Sequence, residues 1–396
     1  MSEKRRDNKG RILKTGESQR TDGRYLYKYI DTLGEAQSIY SWKLVSTDRV
    51  PAGKRDCISL REKEQEIRKD LEDGIDAIGK KITLCQLYAK QNAQRSNVKK
   101  STLNGRKQLM EILKQDKLGN KSIDSIKPSD AKEWAVRMKE NGYAYQTINN
   151  YKRSLKASFY TAMQDDYVRK NPFDFALNTV IEDDTKAKEA LSEEQEKSLL
   201  EFMKNDVAYQ RYYDNAILLL KTGLRISEFC GLTVKDIDFE NRLINVDHQL
   251  LRDTKIGYYI ETPKTKSGVR QIPMSEEVIK LFRKVLEKRE NAKPINVDGY
   301  TDFLFLNQAG YPMTGANYTS TFRKMTVKYN KCHEEQLSSI TPHILRHTFC
   351  TRLANKNMNP KNLQYVMGHS SINITLNLYA HTSIDGVKSE MTSLIA

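Results

Sequence analysis

"TPHILRHTFC", residues 341–350, packs two of the chain's six histidines and an arginine into five positions. Three uses compete for such a stretch: a zinc site, a core helix with polar decoration, or a grip on a phosphate. Thr341 is a good N-cap and Pro342 suits the first helical position, so a helix begins here with His343 and Arg346 in its first turns. Three residues apart, the two share a face. A helix N-terminus presents free N–H groups and the positive end of the dipole, and an added arginine makes an anion site there. The zinc reading has His343 and His347 four apart, but Arg346 stands between them and no glutamate occupies the HExxH position. A purely structural helix, with Leu345 and Phe349 in the core, competes until the rest of the chain is considered.

Working outward, 396 residues predict two or three domains. A formal charge of +15 exceeds what solubility needs and suits a folded protein that meets a polyanion, with nucleic acid the leading partner. The basic opening "MSEKRRDNKGRILK" is followed by no apolar h-region, and no apolar run reaches about 18 residues, so neither signal peptide nor membrane span is expected. The five cysteines (Cys57, Cys85, Cys230, Cys332, Cys350) are scattered, with no CxxC pair, which argues for reduced thiols and a cytoplasmic protein.

The chain reads as three parts. In residues 1–75, "GRILKTGES", "GRYLYKYID" and "AQSIYSWKLVST" are β-rich runs, and "SLREKEQEIRKDLEDG" has helical composition, which predicts a three-stranded sheet backed by one helix. Nine Lys/Arg face four Asp/Glu in the first 30 residues, and Tyr25, Tyr27 and Tyr29 alternate with Arg24, Leu26 and Lys28, so one sheet face suits a DNA groove; an ordinary half-buried hairpin explains the pattern equally. Residues 82–178 carry four runs with apolar residues at helical spacing, an all-α bundle. From Lys81 to Lys170 there are 19 Lys/Arg against 8 Asp/Glu, a net +11, which points to DNA-backbone contact. The polar stretch 177–190 reads as a linker, and a third domain, 185–396, opens with Ser192 and Gln195 at capping-box spacing. It is mainly helical, with β-like "NRLINVDHQLL", "IGYYIETP" and "VRQIPM"; the last two flank "KTKSG" and are expected to pair as a hairpin.

Four further places bear on the 341–350 stretch. Arg225 in "KTGLRISEFCGL" is either a buried partner of Glu228 or a ligand clamp. Lys264 and Lys266 sit near the expected hairpin tip. His369 lies in "MGHSS", and ten residues on, Tyr379 sits in a helical run where a tyrosine is ordinarily core.

In order, Arg225 in "TGLRISE", Lys266 in "TKSGVRQIP", His343 and Arg346 in "HILRH", His369 in "MGHSS" and Tyr379 in "NLYAHT" resemble the full signature of the tyrosine recombinases, the phage-integrase family. Each fragment is a weak match, but six in order over about 155 positions are specific. Met367, where the family commonly has leucine, is the one departure, a volume-conserving change. The layout of arm-binding sheet, core-binding bundle and catalytic domain is also similar, and the first thirty-odd residues most resemble integrases of conjugative transposons.

The resemblance implies that Tyr379 attacks a scissile DNA phosphate to give a 3′-phosphotyrosyl link and a free 5′-hydroxyl, with no ATP. Arg225 and Arg346 would hold the non-bridging oxygens, Lys266 rather than Lys264 would protonate the leaving oxygen, His343 would assist at the nucleophile, and His369 would donate to the phosphate. Glu228, Asp236 and His347 are read as supports. No cofactor or metal is expected, since a two-metal nuclease would need clustered carboxylates and none stands out. The partners implied are double-stranded DNA at core crossover and arm sites, a homotetramer in the synaptic complex, and an excisionase or DNA-bending accessory protein; no membrane is involved. Val387, Met391, Leu394 and Ile395 share a helical face in the last stretch, expected to dock on a neighbouring protomer. Two rivals are a type IB topoisomerase, with the same chemistry but no exchange between duplexes, and a non-catalytic DNA-binding protein.

Overall fold

The computed structural model describes residues 4–31, 34–72, 81–95, 98–185, 189–263, 265–289, 293–379 and 391. The expected tail helix, apart from Met391, and Lys264 lie outside them. The chain divides into two compact units, 1–186 and 187–396.

In the first unit, β1 (Glu17–Gln19), β2 (Tyr25–Ile30) and β3 (Ala36–Ser41) form an antiparallel sheet in sequence order. The helix α1 (Leu60–Glu72) covers one face. Tyr25 and Tyr27 point to that side, buried with Leu13, Leu44 and Leu60. The other face pairs Leu26 with Tyr40 and is cationic: Arg20 and Arg24 each lie 5.4 Å from the Tyr40 ring centre, and Arg24 and Lys54 lie 5.7 and 5.5 Å from that of Trp42. Polar bonds close the loops around the sheet. Arg11 donates to Asp7, to the Tyr25 hydroxyl and to Asp48, and Asp48 also accepts the backbone N–H groups of Leu44 and Val45.

The same unit contains a four-helix bundle: α2 (Leu84–Ala93), α3 (Lys100–Gln115), α4 (Pro128–Glu140) and α5 (Tyr145–Gln164). A capping box of Thr83 and Gln86 starts α2, Pro128 starts α4, and Gly142 at φ +80° ends the connection after it. Trp134 is the centre of the core, edge-on to Phe173. Leu177 and Ile181, expected in a linker, are buried in this core, so the polar stretch begins beyond them.

The second unit opens with α6 (Glu193–Asn205), capped by Ser192 and Gln195 as their spacing predicts. Next come α7 (Tyr213–Thr222) and the short α8 (Ile226–Gly231). Strands β4 (Ile237–Asp238), β5 (Leu243–Val246) and β8 (Arg270–Pro273) form one antiparallel sheet; β6 (Gln249–Asp253) and β7 (Gly257–Glu261) form another. The expected pairing of "IGYYIETP" with "VRQIPM" is therefore wrong: β7 returns on β6 through a turn with Gly257 at φ +80°, and β8 crosses back to β5, placing Arg270 opposite Val246. The β7–β8 connection contains a short 3₁₀ turn, Lys266–Gly268. The helices α9 (Glu276–Glu287), α10 (Gly315–Cys332), α11 (Pro342–Asn355), α12 (Pro360–Met367) and α13 (Ile372–Leu376) complete it. The core is built on α7, whose Ile217–Leu220 run is buried on all sides. No described helix is long and apolar enough to cross a membrane.

Asp48 predicts an acid-sensitive sheet. Burial alone would raise its carboxyl, but the hydrogen bonds from Arg11, Leu44 and Val45 outweigh that and bring it down to about 2. A lowered carboxyl stabilises the fold above its unfolded value of about 3.9, and the contribution is lost as pH falls toward 2. Asp48→Asn is expected to cost about 2 kcal/mol at pH 7, with wild type and variant converging near pH 2, as read by denaturant unfolding across pH.

Candidate active site

Two left-handed glycines make the site. Gly223, at φ +61°, ends α7, and a Cβ there would lie 2.3 Å from a Phe349 ring carbon. The chain reverses and delivers Arg225 to the N-cap of α8, where Glu228 at the third helical position accepts both the Arg225 backbone N–H, at 2.9 Å, and its guanidinium, at 2.7 Å. Gly368, at φ +59°, ends α12 in the same way. Its carbonyl accepts Arg225 Nη2 at 2.6 Å. A Cβ on Gly368 would sit 3.0 Å from Arg270 Nη1, 3.0 Å from the Ser267 carbonyl oxygen and 3.2 Å from Arg225 Nη1.

Arg346 reaches the same place from the second turn of α11, which starts as the sequence predicts, with Thr341 as N-cap and Pro342 first. Its guanidinium is buried and donates to the carbonyls of Gly223, at 2.6 Å, and Met367. Burial, and then repulsion from Arg225, push it down to about 9, so it stays cationic at neutral pH. His369 follows Gly368, with Nδ1 3.0 Å from the Thr375 hydroxyl. Burial and the neighbouring Arg346, Arg225 and Arg270 push it down to about 4, which makes it a neutral imidazole at working pH. Glu228 is held ionised: burial would raise its carboxyl, and Arg270 and Arg225 outweigh burial.

A cavity of about 420 Å³ opens beside these groups, lined by Arg225, Glu228, Gln249, Thr265 and His369. Lys266 is exposed on the turn whose neighbours Thr265 and Gly268 line that cavity. His343, exposed on the first turn of α11, adds to the repulsion on His369. Tyr379 stands apart: its hydroxyl donates to the Met358 carbonyl, its ring packs on the Cys350, Leu363 and Met367 cluster, and burial raises its phenol. Arg225, Arg346 and His369 are thus brought together, while Lys266 and the Tyr379 hydroxyl are not.

Sequence reasoning missed Arg270, whose side chain is fully buried and pairs Nη2 to Glu228 at 2.9 Å. In "VRQIPM" the alternation sets it on the face of Ile272 and Met274, which was the available signal of its burial, whereas its partner lies 42 positions earlier. Asp236, read as a support, instead accepts from Thr233 and groups with Asp247 and His248, an acidic cluster the sequence did not disclose. The ring nitrogens of His248 already bond Asp247 and the Gly231 carbonyl.

The chain is similar to known proteins along its length. A model of the phage integrase family matches residues 189–385, and one described as the DNA binding domain of Tn916 integrase matches residues 1–71. The transposase from transposon Tn916 of Enterococcus faecalis is 68% identical over 394 residues, covering 100% of this chain and 97% of the relative. The transposase from transposon Tn1545 of Streptococcus agalactiae matches with the same identity and coverage. Among solved structures, the R225K variant of the Tn1549 transposon integrase, residues 82–397, bound to circular intermediate DNA superposes with a TM-score of 0.77 at 59% identity, over 79% of this chain and 99% of that one. The Y379F variant bound to transposon right end DNA gives a TM-score of 0.77 at 60% identity, over 80% of this chain and 100% of that one. A near full-length relative at 68% identity, together with Arg225 and the buried Arg346 held at paired glycine corners, makes the chain a member of the phage integrase family, a tyrosine recombinase.

Proposed function

We propose that this chain is a site-specific DNA recombinase that integrates and excises a mobile element of the conjugative-transposon type, cutting and rejoining DNA through a 3′-phosphotyrosyl intermediate. The observation that carries it is the grouping of Arg225, Arg346 and neutral His369 at the two glycine corners, with Arg225 and His369 lining one cavity and the buried Arg346 near enough to depress His369. The relatives named as transposases support it, as do the Tn1549 integrase complexes with DNA, whose R225K and Y379F substitutions carry the numbers of Arg225 and Tyr379 here.

In this mechanism Tyr379 Oη bonds to the scissile phosphorus and the bond to O5′ breaks. Lys266 gives its proton to O5′, and His343 helps the phenol lose its own. Arg225 and Arg346 hold the non-bridging oxygens, where planar groups that are cationic at neutral pH match the growing charge. His369, being neutral, donates a hydrogen bond without adding charge. The Tyr379 hydroxyl first has to leave the Met358 carbonyl, so cleavage includes a movement of the segment after α13. These cations supply the charge a metal ion would otherwise bring.

The remaining parts would bind DNA around this chemistry. Residues 1–75 would bind arm sites through the cationic face with Arg20, Arg24, Tyr40, Trp42 and Lys54, where guanidinium and aromatic groups are already stacked. The bundle, 82–178, with its surplus of lysine and arginine, would hold the core site together with the catalytic domain, 185–396. Exchange between two duplexes needs four cleavages, hence four copies, with an excisionase or DNA-bending protein as accessory, in the bacterial cytoplasm.

On a nicked suicide substrate with EDTA present, wild type is expected to give a covalent protein–DNA band on a denaturing gel and Tyr379→Phe none; a band in both would move the nucleophile to another residue. Arg225→Lys keeps the charge but loses the fork that spans Glu228 and Gly368, and is expected to slow single-turnover cleavage by about 10²-fold while DNA binding in a gel-shift assay stays within a few-fold. Deleting residues 1–75 is expected to preserve core-site cleavage and weaken full integration; loss of core-site cleavage would count against the division into arm and core binding.

A further inference from the structure

The Arg270 guanidinium spends its donors on three separate elements. Nε donates to the Val366 carbonyl near the end of α12 at 2.6 Å, Nη1 to the Gly268 carbonyl at 2.9 Å, and Nη1 and Nη2 to the two oxygens of Glu228 at 3.2 and 2.9 Å. The Glu228 carboxylate in turn holds Arg225. Gly268 closes the 3₁₀ turn that begins at Lys266, and Lys266 is otherwise exposed. On the far side of that turn, a Cβ on Gly268 would lie 2.3 Å from Pro263 Cβ, so the turn is packed at its base while its lysine stands in solvent.

We infer that Arg270 is a positioning residue for leaving-group protonation: it clamps the base of the Lys266 turn to the Glu228–Arg225 pair, so that the acid and the phosphate clamp keep one spacing. An exposed lysine on a short turn samples many directions, and general acid catalysis needs it within hydrogen-bond reach of one oxygen. The bond from Arg270 to the Gly268 carbonyl removes that freedom at the turn, and the bidentate pair with Glu228 refers it to Arg225. Lysine at 270 would keep the charge without the fork. The inference rests on the reading of Lys266 as the general acid.

The test compares two nicked DNA substrates differing only in the scissile 5′ atom, oxygen or sulfur. A thiolate, with a thiol pKa of about 8.5, leaves without being protonated, so the sulfur substrate bypasses the acid. Arg270→Lys is expected to cleave the oxygen substrate about 10²-fold more slowly than wild type and the sulfur substrate less than about tenfold more slowly, the pattern also expected of Lys266→Ala. The ratio of the two rates is read on one preparation, so it does not depend on how much of the variant is folded. Arg270→Gln gives the same readout if the lysine variant is too unstable to purify. Equal losses on both substrates would overturn the inference and leave Arg270 a structural residue, as would an undiminished rate on oxygen. Failure of sulfur to rescue Lys266→Ala would instead overturn the assignment of the acid, and this inference with it, whereas Arg270 losing its rescue while Lys266→Ala keeps it would overturn the role of Arg270 alone.

Discussion

The catalytic half of this protein is organised around one buried carboxylate. Glu228 has guanidinium groups on two sides, and neither it nor Arg270 reaches solvent appreciably. A buried charge without a partner is costly, and removing one member of such a set destabilises strongly because the others are left uncompensated. With Arg346 close by, three guanidinium groups face one carboxylate, and the carbonyls of Gly223, Val366, Met367, Gly268 and Gly368 satisfy donors that the carboxylate does not. The centre therefore carries surplus positive charge in a low-dielectric pocket, and an anion entering the cavity meets donors whose orientation is already fixed.

That arrangement explains why helix ends matter so much here. The carbonyls that hold Arg225 and Arg346 come from left-handed glycine corners at the ends of α7 and α12, where the last carbonyls of a helix have no partner within it. The same feature that terminates each helix supplies an acceptor to an arginine. Local sequence rules and site geometry are one construction.

Much of this was legible in the sequence, for identifiable reasons. Thr341–Pro342 and Ser192–Gln195 mark helix starts through chemistry that acts within four residues, and the structure has both. Arg225 and Glu228 sit three apart, so their pairing was also readable, and the three-stranded sheet with its helix follows from alternation and composition. The errors arose where the deciding partner is distant. "KTKSG" looks like a hairpin tip, yet strand pairing is settled by non-local hydrogen bonds, and β8 found β5 instead of β7. Arg270 escaped for the same reason, and Leu177 and Ile181 passed for linker residues because their burial depends on helices laid down earlier in the chain.

Gly368 adds a mechanical consequence. Arg225, Arg270 and the backbone of Ser267 all approach within 3.2 Å of where its missing side chain would begin. A position that contributes no side chain thus serves as the datum from which Arg225, Arg270 and the turn at Ser267 are gauged. Because all three press on one corner, a small displacement of α12 carries them together, and their errors are correlated instead of independent. Thermal breathing of that helix would then move the whole set while sparing the internal distances between its members.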